Sequence, residues 1–160
     1  IERLTGVTQV ISDQGFIADS EIVEFEIIKA SEFISNTLEI EEGSETVLLK
    51  TLKKASNEPI AICIDYIPKV FLGETIDPKL LYKSVFSGLQ EHYNINIKFA
   101  ECNLIPVLSN EETSGLLKLN INSPLIKLNQ IHYDYENRKV IFSKSYFPEK
   151  MVFKLIRKRY

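Results

Sequence analysis

The sequence is poor in the residue types from which most reaction centres are built. In 160 residues it has two cysteines, Cys63 and Cys102, and two histidines, His92 and His132. No CxxC, HxH or HExxH spacing occurs, so no local motif supplies the three or four ligands that zinc needs. The cysteines sit in separate apolar stretches and read as free buried thiols, a pattern suited to a reducing compartment. The six glycines are isolated from one another, which removes the P-loop and the dinucleotide fingerprint, and GxSxG is absent as well. No run of about 18 apolar residues reads as a membrane-spanning helix, and the N-terminus lacks the pattern of a signal peptide. An excess of positive charge is also missing: 19 Lys and Arg face 22 Asp and Glu, a formal net charge of −3. That balance excludes the broad positive field by which a domain grips nucleic-acid phosphates. The basic KLIRKRY at 154–160 is a local exception, which reads as a solvated strand edge or terminus.

What the sequence does have is alternation and repetition. Its length suits one domain over residues 1–160 with a real core. A start at Ile1 rather than Met suggests a processed protein or an excised domain, with further function in whatever precedes it. GVTQVISDQGF (6–16) reads as a short apolar–polar segment ending at a glycine turn. IVEFEII (22–28) alternates as a half-buried strand should, with Val23, Phe25 and Ile27 on the inner side. Ser31 caps a short helix over 32–38; 46–54 and 60–67 then form a hairpin around Asn57. Residues 71–81 read as irregular, and Ser84 opens a helix through VFSGLQEHY. A strand follows over 95–108, confined to an edge or a bulge by Pro106. Ser109 and Glu112 have capping-box spacing for a helix through Leu119, followed by two strands and a last one from Met151.

Two stretches, 31–68 and 110–148, each read helix, turn, strand, turn, strand, proline. At an offset of 79, Leu38 meets Leu117, Val47 meets Ile126 and Leu52 meets Ile131; at 80, Tyr66 meets Tyr146 and Pro68 meets Pro148. A short helix over one hairpin cannot bury the hairpin's apolar face, whereas two such units can share a sheet. The expected fold is α+β: an internally pseudo-symmetric antiparallel sheet with packed helices and a pocket between the halves.

The residues that suggest a site bind rather than react. Carboxylates are plentiful but form no recognisable acid–base pair, and neither histidine has a nominated nucleophile. Lys53 and Thr51 share one face of a strand, and a lysine beside a hydroxyl can hold a phosphate or carboxylate. Ser84 opens a helix whose free N–H groups favour an anion, though a plain N-cap explains it equally. Thr8 is a further donor, and Phe86, Tyr66, Tyr133, Tyr146 and Phe147 either wall a cavity or pack the core. The repeat sets His132 opposite Lys53, so it points to the same interior or stays on the sheet surface.

Taken in order, RLTG (3–6), SDQGF (12–16), NEPIAICIDYIP (57–68), SVFSGLQEHYNI (84–95), EETSGLLKLNINSPLIKL (111–128) and YDYENRKVIFSKSYF (133–147) resemble the effector-binding (UTRA) domain of GntR-type bacterial transcriptional regulators, HutC branch. The resemblance covers nearly the whole chain. It implies a chorismate-lyase-like α+β fold, a homodimer, a cytoplasmic location and no cofactor. It also implies a small anionic metabolite as ligand, a sugar phosphate being one candidate, and no catalysis. DNA would be reached only through an N-terminal winged helix-turn-helix that lies outside this chain. A chorismate-lyase-like enzyme and a dimerisation module with a vestigial pocket are the alternatives.

Carried over residue by residue, the resemblance places the family's phosphate-binding hydroxyl on Thr8, its two hairpin arginines on Thr51 and Lys53, and its helix-start serine on Ser84. The groups that read a sugar depart from the family: two glutamates fall on Cys63 and Ile141, and two tyrosines on Phe86 and Phe147. The expectation is an anionic ligand with a less hydroxylated, or differently oriented, remainder than an amino-sugar phosphate.

Overall fold

A computed structural model of the chain describes residues 4–151. Arg3 of the RLTG stretch, the basic tail at 154–160 and all of the expected last strand but Met151 lie outside the described residues.

The chain first forms a short helix, α1 (Val7–Asp13), where the sequence suggested only an irregular segment. With Gly6 at its N-cap and no side-chain cap, it lacks the usual start signal; only the Val7, Val10, Ile11 spacing marks it. The remaining elements fall into two units. The first is β1 (Ala18–Lys29), α2 (Glu32–Leu38), β2 (Glu45–Ala55) and β3 (Glu58–Pro68). The second is β4 (Ile97–Leu108), α4 (Glu111–Leu117), β5 (Pro124–Asp134) and β6 (Lys139–Pro148), and it keeps an offset of 79 through the end of β5. Two 3-10 turns, Lys69–Phe71 and Pro78–Leu80, and α3 (Val85–Tyr93) are inserted between the units.

Local chemistry explains why both units fold alike. Ser31 Oγ accepts the Ile34 N–H at 3.3 Å to start α2. At the equivalent position Asn110, not Ser109, caps α4, and Thr113 rather than Glu112 closes the reciprocal capping box. Both helices end on a residue in the left-handed region, Glu39 (φ 55°) and Lys118 (φ 53°), so α4 stops two residues before Leu119. The β2–β3 turn places Ser56 and Asn57 at φ 49° and 70°, the paired positive values of a tight hairpin.

The six strands form one antiparallel sheet in the order β1-β2-β3-β6-β5-β4. A pseudo-twofold therefore passes between β3 and β6, through the Ile64–Lys144 pair, whose members are 80 apart in sequence. Pro106 lies on β4, an edge strand, as expected. On the other edge a bulge between Ile22 and Glu24 leaves Val23 outside the ladder and exposed, contrary to its alternation in sequence.

Each face of the sheet is covered by a different pair of helices. On one face α2 seats Ile34 and Leu38 against Phe142, and α4 seats Leu117 against Leu52 and Ile62. On the other, α3 packs Leu89 on Val47, Leu49, Ile67 and Ile141, while α1 packs Ile11 on Ala61, Leu128 and Phe147. These last two apolar clusters occupy opposite ends of their face. Between them the inward side chains are polar.

Candidate functional site

The polar gap between α1 and α3 holds a cavity of about 70 Å³. Its floor is Lys53 from β2, Cys63 and Asp65 from β3, Ser143 and Ser145 from β6, and Gln130 and His132 from β5. β3, β6 and β5 each contribute two residues two apart, because alternate side chains share a face. The roof is the segment Leu4–Thr8 together with Ser84–Phe86 at the start of α3. These two roof pieces touch: a Cβ built on Gly6 would lie 3.7 Å from the Phe86 ring and 4.0 Å from Ser84 Oγ.

Five of the eight residues nominated from the sequence line this cavity: Thr8, Lys53, Cys63, Ser84 and Phe86. Thr51 is fully buried beside Cys63 in the β2–β3 register, outside the lining, with its Oγ1 lacking a hydrogen-bond partner. Ile141 and Phe147 do not line it either. They share a strand face with Ser143 and Ser145, but they lie at its two ends, Ile141 in the cluster under α3 and Phe147 in the cluster under α1. Only the middle of β6 reaches the opening.

Lys53 is 4% exposed, and its ammonium donates to Ser20 Oγ at 3.1 Å, to the Tyr82 carbonyl at 2.7 Å and to the Lys83 carbonyl at 3.3 Å. An ammonium has three N–H bonds, so its capacity is filled. Thr8 Oγ1 donates to the same Lys83 carbonyl. Burial holds the Lys53 pKa below its ordinary value, with Cys63 and Asp65 opposing. Ser84 Oγ accepts the Ser87 N–H at 3.3 Å, an ordinary N-cap at the mouth of the same corner. Two main-chain carbonyls thus occupy the cationic corner, and they present to it the kind of oxygen that a bound anion would present.

The rest of the floor carries hydrogen-bond acceptors. Asp65 is buried and takes the Ser143 hydroxyl at 2.5 Å. Burial raises its pKa, and the Ser143 bond and the charge of Lys53 counter that. His132 is 2% exposed, stands edge-on to Phe86 with ring centroids 5.1 Å apart, and has no partner for Nδ1. Burial pushes its pKa down to about 4, so the ring is neutral near pH 7. Of the two placements open for His132, the interior one is found. Burial also pushes the Cys63 thiol up to about 11, which leaves it a neutral lining group rather than a nucleophile.

Asp65, Gln130, Ser143 and Ser145 were not anticipated. A signal existed for the first: Asp65 is two residues beyond Cys63, hence on the same face of β3. The expectation of a wall stripped of carboxylate is corrected by this shift along the strand, which returns a carboxylate to the cavity. Among the described residues no cluster of three or more His, Cys, Asp and Glu side chains is arranged to hold a metal ion. No helix among them is long and apolar enough to cross a membrane.

Comparison with known proteins adds three kinds of finding. The family model described as "UTRA domain" matches residues 13–152. The chain is 24% identical over 147 residues to the mannosyl-D-glycerate transport/metabolism system repressor MngR of Escherichia coli strain K12, covering 92% of this chain and 61% of that protein. It is 20% identical over 133 residues to the HTH-type transcriptional repressor NagR of Bacillus subtilis strain 168, covering 83% and 54%. The chain therefore spans little more than half the length of these relatives. Its fold is similar to the effector domain of PhnF from Mycobacterium smegmatis, with a TM-score of 0.85, 18% identity and 96% of each chain covered.

Proposed function

The chain belongs to the UTRA family, the effector-binding domains of GntR-family transcriptional regulators, and from that premise we propose that it senses a small anionic metabolite, phosphorylated in the simplest case, without transforming it. The observation that carries this reading is the convergence of Lys53, Thr8 and the Ser84 end of α3 on one buried corner. The cavity contains no nucleophile activated by a base: Cys63 is held neutral, and Asp65 is engaged by Ser143. A role outside catalysis accords with the relatives, which are repressors.

A volume of about 70 Å³ is far below the roughly 300–1,000 Å³ of typical ligand pockets. Binding must therefore open the roof. An anion that takes over Lys53 and Thr8 displaces the Lys83 carbonyl, and that loosens the tie between the segment at 4–8 and the loop before α3. Any domain joined upstream of residue 4 senses the change through that segment. The ligand shifts this equilibrium only by its difference in affinity for the two arrangements. In the full-length regulator the upstream partner is a winged helix-turn-helix that reads DNA, the assembly is a homodimer, and the setting is cytoplasmic.

A small, self-satisfied cavity also suits a vestigial pocket in a dimerisation module, so the test must separate the two. Thermal-shift screening of inorganic phosphate, phosphorylated sugars and small organic acids should find anions that stabilise the protein, with the effect lost in Lys53→Ala and reduced in Ser84→Ala. Folded variants and wild type that are indifferent to every anion would leave only the dimerisation role. Turnover of a bound compound would restore the enzyme reading.

A further inference from the structure

We propose that the ligand of this cavity has a second pole, an ammonium group, received by Asp65 of β3 and by Nδ1 of His132 of β5 on the cavity floor. The inference rests on the sensing function proposed above, because it assigns the other half of the same cavity.

Three observations carry it. Asp65 is a carboxylate buried to 7% exposure on the cavity floor, and among the described residues no lysine or arginine forms an ion pair with it. The nearby cation, Lys53, spends its donors on Ser20 and two carbonyls instead. A buried carboxylate that holds only one hydroxyl is costly when empty and strongly receptive to a cationic donor. His132 adds an unpartnered acceptor. Nδ1 has no hydrogen-bond partner in a side chain 2% exposed, and a neutral imidazole that carries its proton on Nε2 offers Nδ1 as an acceptor.

Their arrangement is also specific. Asp65, Ser143 and Gln130 are direct cross-strand neighbours on β3, β6 and β5, and His132 is the next inward residue after Gln130 on β5. Asp65 on β3, Ser143 on β6 and His132 on β5 thus carry acceptors across the floor, while the cation stands on β2. A molecule with only a phosphate would satisfy Lys53 and leave Asp65 without a cationic partner and His132 Nδ1 without any. A zwitterion carrying phosphate at one end and ammonium at the other satisfies both.

The test uses the protein with phosphoethanolamine and 4-aminobutyl phosphate, each compared with the alkyl phosphate of equal chain length, and with ethanolamine as the amine alone. Affinities come from calorimetric titration, and contacts from NMR shifts of Asp65 and the His132 ring. At least one aminoalkyl phosphate is expected to bind ten-fold or more tighter than its alkyl partner. That advantage should vanish in Asp65→Asn and in Asp65→Ser, which makes the position like its pseudo-symmetric counterpart Ser145. His132→Gln should reduce it several-fold. Equal binding of each matched pair overturns the ammonium pole and leaves the anion corner standing. If no phosphate binds, the anion corner falls; ethanolamine shifts that depend on Asp65 would then still support the ammonium pole, and their absence would overturn it too.

Discussion

The two halves of the sheet use one backbone plan and two sets of side chains. Element boundaries, left-handed helix ends and the turn between helix and second strand recur at the 79-residue offset; the Ala30 N–H meets the Ser44 carbonyl at 2.8 Å as the Ser109 N–H meets that of Ser123 at 2.8 Å. The cavity floor is where this correspondence ends. Lys53, Cys63 and Asp65 of the first unit stand against His132, Ser143 and Ser145 of the second. Groups that satisfy backbone hydrogen bonds have few alternatives, so the repeat preserves them. Groups that face the enclosed space answer to a ligand, and a ligand without twofold symmetry calls for unlike walls.

The comparison is broken most severely at α3, the longer of the two helices on the cavity face. A Cβ on Gly88 of α3 would fall 2.1 Å from the Leu80 carbonyl oxygen and 3.0 Å from Leu81 Cδ2. Gly88→Ala should cost on the order of 3 kcal/mol in denaturant unfolding and abolish anion binding, because α3 carries Ser84 and Phe86. Unchanged stability would mean that α3 does not seat the roof.

His132 sharpens the comparison through pH. Unfolded, its ring takes up a proton near 6.5; folded, burial delays this to about 4. Between those values the unfolded state binds more protons, so stability falls as pH drops through the window, by roughly 3 kcal/mol in all. Unfolding curves at pH 7, 5.5 and 4 should show this slope, and His132→Gln should flatten it. Asp65 gives an effect of opposite sense. Its raised pKa marks a buried carboxylate that is costly to keep ionised, so Asp65→Asn should stabilise the protein near pH 7, read as a higher Tm.

The smallest expected difference lies in the shared plan itself. Ser31→Ala and Asn110→Ala each remove a helix cap at about 1 kcal/mol. The Asn110 variant should lose more, because Asn110 Oδ1 accepts both the N–H and the hydroxyl of Thr113, whereas Ser31 Oγ accepts one N–H. Equal losses would make the two units energetically alike despite their different caps.

Much of the plan was legible in the sequence. Apolar runs, alternation and turn residues located every strand among the described residues, Ser31 and Ser84 marked their helices, and the offset revealed the pairing of the halves. α1 was not legible, since it is seven residues long and starts without a side-chain cap. Asn110 was overlooked because the neighbouring Ser109 fits the same pattern; Ser109 Oγ instead accepts the Ser123 N–H at 2.9 Å. At the site, residue chemistry pointed to Thr8, Lys53, Ser84 and Phe86 and the family resemblance added Cys63, all in the cavity lining. Thr51, Ile141 and Phe147 lie outside that lining, since position on a strand face does not reveal where along the strand the covering helices part. Asp65 was missed because it stands two residues from where the family places its carboxylate.

The account depends most on the exchange of a main-chain carbonyl for a ligand anion at Lys53. A crystal structure with the tightest-binding phosphate from the screen tests this directly. The expected result has a phosphate oxygen within hydrogen-bonding distance of Lys53 Nζ and Thr8 Oγ1, with the Lys83 carbonyl withdrawn from both. A phosphate bound elsewhere, with the Lys83 carbonyl still on Lys53 and Thr8, would contradict it.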